Sequence, residues 1–314
     1  MSFAPNLALV VLATYALCSA LLAAAVGLAC RAGAGRALSA SRKLLALRLL
    51  PSAGAALLAL TVVMPAFLLH EPPHEAEAMG PVMPALALIA LLLVGDGVRR
   101  GWRASAAADR FLRQAGAAGA WPVVGGRQVE IVELKDPIVA VVGALRPRIV
   151  AARHVVAACS VSEFTQVVAH EAAHVSARDN LKRLLLLASP DPLAWLPAGA
   201  ALAERWRMAA EFEADERATG ADRRKRVELA AALVKVARLS SGAACTPPAL
   251  SMTVATDDVG ARVRRLLAPS PPVRGRTSRR GVAAALLLLL LPLLAVPWYG
   301  PLHQLIETLV AFGR

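Results

Sequence analysis

The sequence predicts a mainly α membrane protein, with four transmembrane helices and a mixed α+β domain between the third and the fourth. Three observations lead there. Of the 314 residues, 57% are hydrophobic and mean hydropathy is +0.55, above the ordinary range for a soluble domain. Four uncharged runs approach or exceed the roughly 20 apolar residues that a bilayer crossing needs. The charges, with a formal net value of +13, are distributed unevenly between those runs.

The runs extend from Leu7 to Cys30, Leu49 to Leu69, Ala78 to Gly95 and Gly281 to Leu302. None holds Asp, Glu, Lys or Arg. One such residue at mid-span would cost about 2.5–3.5 kcal/mol on insertion scales, so their absence from every run argues against buried soluble helices. The first run follows "MSFAPN", which lacks a basic leader, and it is too long for a signal peptide. It reads as a retained helix.

Charge orients the spans. Arg31, Arg36, Arg42, Lys43 and Arg48 lie between the first two, with no acid among them. Glu71, Glu75 and Glu77 lie between the second and third, with no Lys or Arg. Arg99, Arg100, Arg103, Arg110 and Arg113 follow the third, and Arg274, Arg276, Arg279 and Arg280 precede the fourth. Basic segments stay in the cytoplasm. The expected topology in a cell inner membrane therefore has the N-terminus outside, residues 1–98 as three spans, 99–280 as a cytoplasmic domain, 281–302 as the fourth span and 303–314 as an outer tail. The basic excess then reflects orientation and attraction to anionic lipid, and no nucleic-acid partner is implied. His70 and His74 fall in a loop best read as solvated. Cys18, Cys30, Cys159 and Cys245 show no pairing or metal-type spacing and are expected to be free thiols.

Within 99–280, "RQVEIVEL" reads as a strand, and "PIVAVVGALRPRIVAA", broken by Gly143 and Pro147, as a small hairpin. Ser160 to Glu163 has capping-box spacing and should open a helix running towards Leu187. "SPDPLAWLP" is a proline-punctuated turn. Helices follow at about Ala198 to Thr219 and Arg223 to Leu239, then a loop, then the short basic helix "VGARVRRLLA" and a flexible linker.

The chemistry sits in "VVAHEAAHVSARDN", Val167 to Asn180. Residues four apart share a helix face, so His170 and His174 can grip one metal ion from successive turns. Glu171 sits about 100° around the axis, placed to act on a water beside the metal without ligating it. A catalytic zinc needs a third protein ligand. Glu211 and Asp215, four apart in "AAEFEADERAT", offer carboxylates on the next helix. One can complete the site, and the other can hydrogen-bond the free nitrogen of a ligating histidine. Glu213 should point away into solvent. Asp179 is a further hydrogen-bonding candidate, although its angle relative to His170 is poor. His154, Arg178 and Arg207 are candidates for stabilising an oxyanion. HExxH alone arises by chance, and "EFEADE" alone is ordinarily a solvated face. Their order across a proline-rich turn is what argues for Zn2+.

These segments, "DPIVAVVGALRPRIVAARHV", "HEAAHVSARDN", "DPLAWLP", "RMAAEFEADERA" and "ARVRRLL", together with the three-plus-one span order, resemble the BlaR/MecR-type integral-membrane metallopeptidases. More distantly, the chain is similar to the Ste24/HtpX membrane proteases. The resemblance implies a gluzincin-type fold, with His170, His174 and Glu211 as zinc ligands and Glu171 as general base. It also implies regulated cleavage of a cytoplasmic protein, with a winged-helix transcriptional repressor as the candidate substrate. Antibiotic-sensing members carry a penicillin-binding domain after the fourth helix. The sequence stops at Arg314, so β-lactam sensing by this chain is not expected. Two alternatives stand beside the regulatory protease: a signalling scaffold with a structural zinc, and a quality-control protease.

Overall fold

Three of the four apolar runs become long helices. A computed structural model describes residues 3–32, 40–70, 80–115, 122–240 and 256–268, and the single positions 300, 304 and 308. Helix α1 covers Phe3–Arg31, and α2 covers Ser41–Leu58, continuing through a π turn at Ala59–Val63 into α3 at Met64–His70. Helix α4 covers Val82–Ala115. Three segments, Ala4–Arg31, Ser41–Leu69 and Val82–Ala115, are long and apolar enough to cross a membrane. α1 packs against both α2 and α4. The expected fourth span apart from Gly300, the linker before it, the loop from Glu71 to Met79 and Cys245 lie outside the described residues. Cys18, Cys30 and Cys159 are free thiols.

Two helices overrun the bounds expected from hydropathy. α2 begins at Ser41, not Leu49, and α4 begins at Val82 and continues twenty residues past Gly95. At about 1.5 Å per residue, α4 is roughly 51 Å long, well beyond a hydrocarbon core of about 30 Å. The overrun follows from "RASAAADRFLRQA", which is rich in helix formers and lacks proline. It buries a stripe of small residues, Gly97, Gly101, Ala104 and Ala108. The stripe lets helix α7 (Asp179–Ala188) approach closely, since a Cβ on Gly97 would lie 2.4 Å from the Ala188 carbonyl oxygen. Gly97→Ala is therefore expected to destabilise the protein by about 1–3 kcal/mol, the usual cost of overpacking, read as a lowered unfolding midpoint in detergent.

The strand and hairpin form as anticipated. Strands β1 (Val123–Val124), β2 (Arg127–Val132), β3 (Val139–Val142) and β4 (Arg148–Ala152) make a sheet in the order β1-β2-β4-β3. β4 runs parallel to β2 and antiparallel to β3. Alternation along the strands feeds two cores. Val129, Val141, Ile149 and Ala151 pack with helices α6 (Val161–Ala177) and α9 (Arg223–Ser240), through Phe164, Val168, Leu229 and Leu233. Val132, Ala140, Val142 and Val150 pack with Ala104, Ala108 and Ala115 of α4. The sheet is thus clasped between the α4 overrun and α6. The remaining elements are α5 (Arg153–Ala158), a 3-10 turn at Pro192–Ala194, α8 (Pro197–Thr219) and α10 (Thr256–Leu267).

The capping box at the start of α6 is complete. Glu163 N donates to Ser160 Oγ at 3.3 Å, and Ser160 N donates to Glu163 Oε2 at 2.7 Å. Lys235 Nζ adds a 2.6 Å bond to the same carboxylate. That bond, opposed by partial burial and aided by Ser160, holds the Glu163 carboxyl below its ordinary 4.5. A depressed carboxylate stabilises the fold above its unfolded value and loses that contribution as pH falls through the folded one. Acid unfolding below about pH 4.5 should therefore lose part of its steepness in Glu163→Gln, measured by circular dichroism.

Two expectations need correction. The motif helix does not run on to Leu187. It breaks at Arg178, which adopts a left-handed conformation (φ 55°), and α7 starts afresh at Asp179. Periodicity is blind to this break because no glycine or proline marks it. Glu213 is not merely solvated either. It accepts from Ser41 N at 2.9 Å and Ser41 Oγ at 2.8 Å, capping α2, and pairs with Arg217 at 2.9 Å. Nearby, the "SPDP" turn locks onto the apolar helices. Tyr15 OH donates to the Pro190 carbonyl at 2.6 Å, and Arg48 pairs with buried Asp191 at 3.1 Å.

Candidate metal centre

α6 presents His170, Glu171 and His174 to a buried space that α8 closes with Glu211 and Asp215. All five are at most 4% exposed. His170 Nδ1 lies 2.9 Å from Asp215 Oδ1, and His174 Nδ1 lies 2.9 Å from Asp179 Oδ2. Ionised carboxylates only accept, so each Nδ1 carries a proton, and in the neutral ring that a metal requires Nε2 turns a bare lone pair inward. Those two Nε2 atoms are 3.1 Å apart. Glu211 Oε2 lies 3.4 Å from the first, and Glu211 Oε1 lies 3.6 Å from the second.

This arrangement fits a divalent cation on three counts. Bonds of about 2.0–2.2 Å in a tetrahedron give donor–donor edges of roughly 3.3–3.5 Å, close to the three separations found. Buried Glu211 Oε1 has no hydrogen-bond partner among the described residues. Asp215, Asp179 and Glu211 raise the proton affinity of the two imidazoles against burial, as expected of a cluster short of positive charge. His170, His174 and Glu211 form the only such potential metal-holding group among the described residues.

The backbone break at Arg178 explains Asp179. The new helix swings Asp179 back onto His174, not His170, and Lys182 Nζ steadies its other oxygen at 2.8 Å. Asn180 Nδ2 donates to the carbonyls of Val141 and Gly143, both at 2.9 Å, pinning edge strand β3 to the same turn. Val141 N in turn donates to Glu171 Oε2 at 3.0 Å.

Electrostatics follow from burial and these partners. Burial pushes the Glu171 carboxyl up to about 7, against the pull of the two histidines. Burial alone would lower His174, but its bond to Asp179 and the nearby Glu211 carboxylate carry it up to about 10. His170 is raised as well, since Asp215 and Glu211 outweigh burial and the Arg262 charge. Burial opposes ionisation of Glu211, yet Arg262 and both histidines hold it well below the carboxylate range. Asp215 is lowered against burial chiefly by Arg262, and Asp179 by His174 and Lys182.

Sequence reading missed Arg262. On α10 this residue is 1% exposed, with its Nε 2.9 Å from Asp215 Oδ2, its Nη2 2.6 Å from Asp215 Oδ1 and its Nη1 2.8 Å from Glu211 Oε2. The signal was available: Arg262 lies on the same apolar stripe as Val259, Val263 and Leu266, where a solvated arginine has no place. The three oxyanion candidates separate. Arg178 lines a cleft of about 370 Å³ together with His174 and Val141. Arg207 pairs with Glu204 and lines a different cavity. His154 sits on α5, which packs on β4 and α9.

Comparison with known proteins agrees with this centre. No curated protein and no solved structure matches the chain. The family model for the BlaR1 peptidase M56 matches residues 103–266, just over half of the chain, and takes in the strands, α6, α8 and α10. With three helices apolar enough to cross a membrane and a buried His-His-Glu group inside the matched region, the chain belongs to the BlaR1-type peptidase M56 family of membrane-associated metallopeptidases.

Proposed function

We propose that the chain is a zinc-dependent endopeptidase that cleaves a cytoplasmic protein at the membrane surface. The observation carrying this reading is the buried triangle of His170 Nε2, His174 Nε2 and the Glu211 carboxylate, with Glu171 beside it. Zinc held there supplies a Lewis acid for a peptide carbonyl and makes water acidic near neutral pH. Glu171 takes a proton from the attacking water and returns it to the leaving amine. Val141 N–H fixes one carboxylate oxygen of Glu171, so the other is aimed at the proton. Asp215 and Asp179 keep the protons on Nδ1 and hold both rings in the ligating tautomer. The adjoining cleft, walled by Val141, Ala144, Leu145, Pro147, Val175 and Leu181, suits an apolar substrate side chain. Arg178 on its rim is the favoured oxyanion group.

Asp179→Asn should weaken metal binding by roughly 10–100-fold, as expected when a carboxylate behind a ligating imidazole is lost. Competition against a chromogenic chelator measures this, and unchanged affinity would remove Asp179 from the centre.

The charge bias of the loops favours residues 99–280 in the cytoplasm, 281–302 as a further span and both termini outside. In that compartment the reading favours a regulatory target, with a winged-helix repressor as the first substrate to examine. Trapping in cells with Glu171→Gln, followed by identification of the held protein, tests the substrate. Capture of damaged membrane proteins in place of one regulator would move the assignment to quality control.

A further inference from the structure

The corner between α7 and α8 falls, by loop charge, in the segment expected in the cytoplasm, yet it is built like part of the membrane region. The twelve residues from Pro192 to Ala203 carry no charge. Trp195 is 61% exposed and Leu196 43% exposed, and Pro197, Ala200 and Ala201 are exposed beside them. Apolar side chains gathered on a surface in this way mark a place of contact.

The neighbours of the corner set its level. Tyr15, whose hydroxyl donates to the Pro190 carbonyl at 2.6 Å, lies eight residues inside the first apolar run. Ser52, whose hydroxyl shares a 2.8 Å hydrogen bond with Ser189 Oγ, lies three residues inside the second. Trp195 Nε1 donates to Asp96 Oδ2 at 3.1 Å, and Asp96 directly follows Gly95, where the third run ends. On the same flank of α4, Leu92 and Ile89 are exposed one and two turns before Asp96, and Arg103 is exposed two turns after it. Trp195 is thus pinned where lipid-facing aliphatic side chains give way to a basic one, the level that tryptophan favours at a membrane–water boundary. The backbone of the corner suits that level too. Pro190 and Pro192 bring no N–H, and the Ser189 carbonyl accepts from Arg100 Nη2 at 2.9 Å. The N–H groups of Ala194, Trp195 and Leu196 close back on Asp191, Pro192 and Leu193 at 3.1, 3.1 and 3.2 Å. Internal satisfaction of this kind is what non-helical backbone needs at membrane depth.

We propose that this corner is a lipid-docking surface, with Trp195 and Leu196 seated in the headgroup interface of the leaflet that α4 leaves at Gly95. α7 and α8 diverge from it towards the metal centre. At about 1.5 Å per residue, Asp179 stands roughly 14 Å along α7 from Ala188, and Glu211 roughly 21 Å along α8 from Pro197. The seated corner therefore holds the metal centre close to the bilayer.

Fluorescence quenching of the full-length protein tests this, in vesicles of phosphatidylcholine with brominated acyl chains. The difference between wild type and Trp195→Phe isolates the emission of one indole. That emission is expected to be lost to the brominated lipid and to resist aqueous iodide, and the reverse pattern overturns the proposal. A nitroxide at Leu196→Cys gives a second reading, with Cys18, Cys30, Cys159 and Cys245 replaced by serine. This variant keeps the Trp195–Asp96 bond, so it reports even if Trp195→Phe fails to fold. The control is Leu145→Cys, an apolar position 81% exposed on the β3–β4 hairpin. The label at 196 should collide more with oxygen than with a water-soluble nickel chelate, and the label at 145 more with the chelate. Equal behaviour at the two positions would mean general adsorption to the vesicle, and spin–spin broadening at 196 would put a second copy of the chain on the corner. Either result overturns the proposal. Neither measurement depends on metal or turnover, so failure here leaves the protease assignment untouched.

Discussion

Glu171→Gln is expected to keep the metal and to lower turnover by roughly 10²–10⁴-fold, the contribution typical of a positioned general base. Gln is close to isosteric, and its side-chain oxygen can still accept from Val141 N–H at the 3.0 Å position that Glu171 Oε2 occupies. The three metal-holding side chains are untouched. What disappears is a carboxylate able to accept a proton. Because the proton moves only as the reaction proceeds, kcat and kcat/KM should fall together while KM stays near the wild-type value. Folding should not suffer. In the metal-free protein, burial raises this carboxyl to about 7, so its ionised form opposes folding as pH rises above its ordinary 4.5. A neutral amide removes that penalty. The measurement is zinc content by elemental analysis beside turnover of the trapped substrate. Equal zinc and equal turnover in both proteins would end the general-base assignment. If the cellular phenotype also survived, the centre would be a structural one within a signalling protein.

How much was legible in the sequence differs from element to element. Three of the four expected spans were legible as long apolar helices, because lipid demands long uncharged runs and composition reports these directly; the fourth falls outside the described residues. Their ends were not, since α4 continues on helix propensity and small-residue packing long after its hydropathy falls. The strand and hairpin followed from Val and Ile runs broken by Gly143 and Pro147. His170, Glu171 and His174 share one helix, so local periodicity was enough to group them. Bringing Glu211 and Asp215 to them takes a tertiary contact, yet the i,i+4 spacing on the next helix made that contact readable. Asp179 was harder. A helix continued through Arg178 would place its side chain away from His170, and only the left-handed residue turns it onto His174. Arg262 comes from a helix about fifty residues beyond Glu211, across a segment outside the described residues. No short-range pattern links such positions, and only its place on an apolar helix face marked it.

Arg262→Ala is therefore the most direct test of what the structure adds. The guanidinium forks onto Asp215 at 2.6 and 2.9 Å and reaches Glu211 at 2.8 Å, all within a buried cluster. Removing it leaves two carboxylates buried and facing each other, with His170 the nearest group able to take up charge. Breaking a buried pair by deleting one partner costs about 3–5 kcal/mol, because the surviving charge is no longer compensated. The metal-free variant should show that full loss in denaturant unfolding. Zinc should recover part of it, since a divalent ion beside Glu211 replaces some of the missing positive charge. Arg262→Lys keeps the charge but cannot fork, so its stability should fall between wild type and Ala. Pairing Arg262→Ala with Asp215→Asn in a double-mutant cycle isolates the contact, and a coupling of about 0.5–3 kcal/mol is expected for groups in one network. Additive losses, or an Arg262→Ala protein as stable as wild type without metal, would place Arg262 outside the energetics of the centre. A strong coupling together with normal zinc stoichiometry would identify Arg262 as the group that holds the Glu211 and Asp215 carboxylates apart from each other and ionised. The same charge would keep Glu211 deprotonated and ready to ligate before any metal arrives.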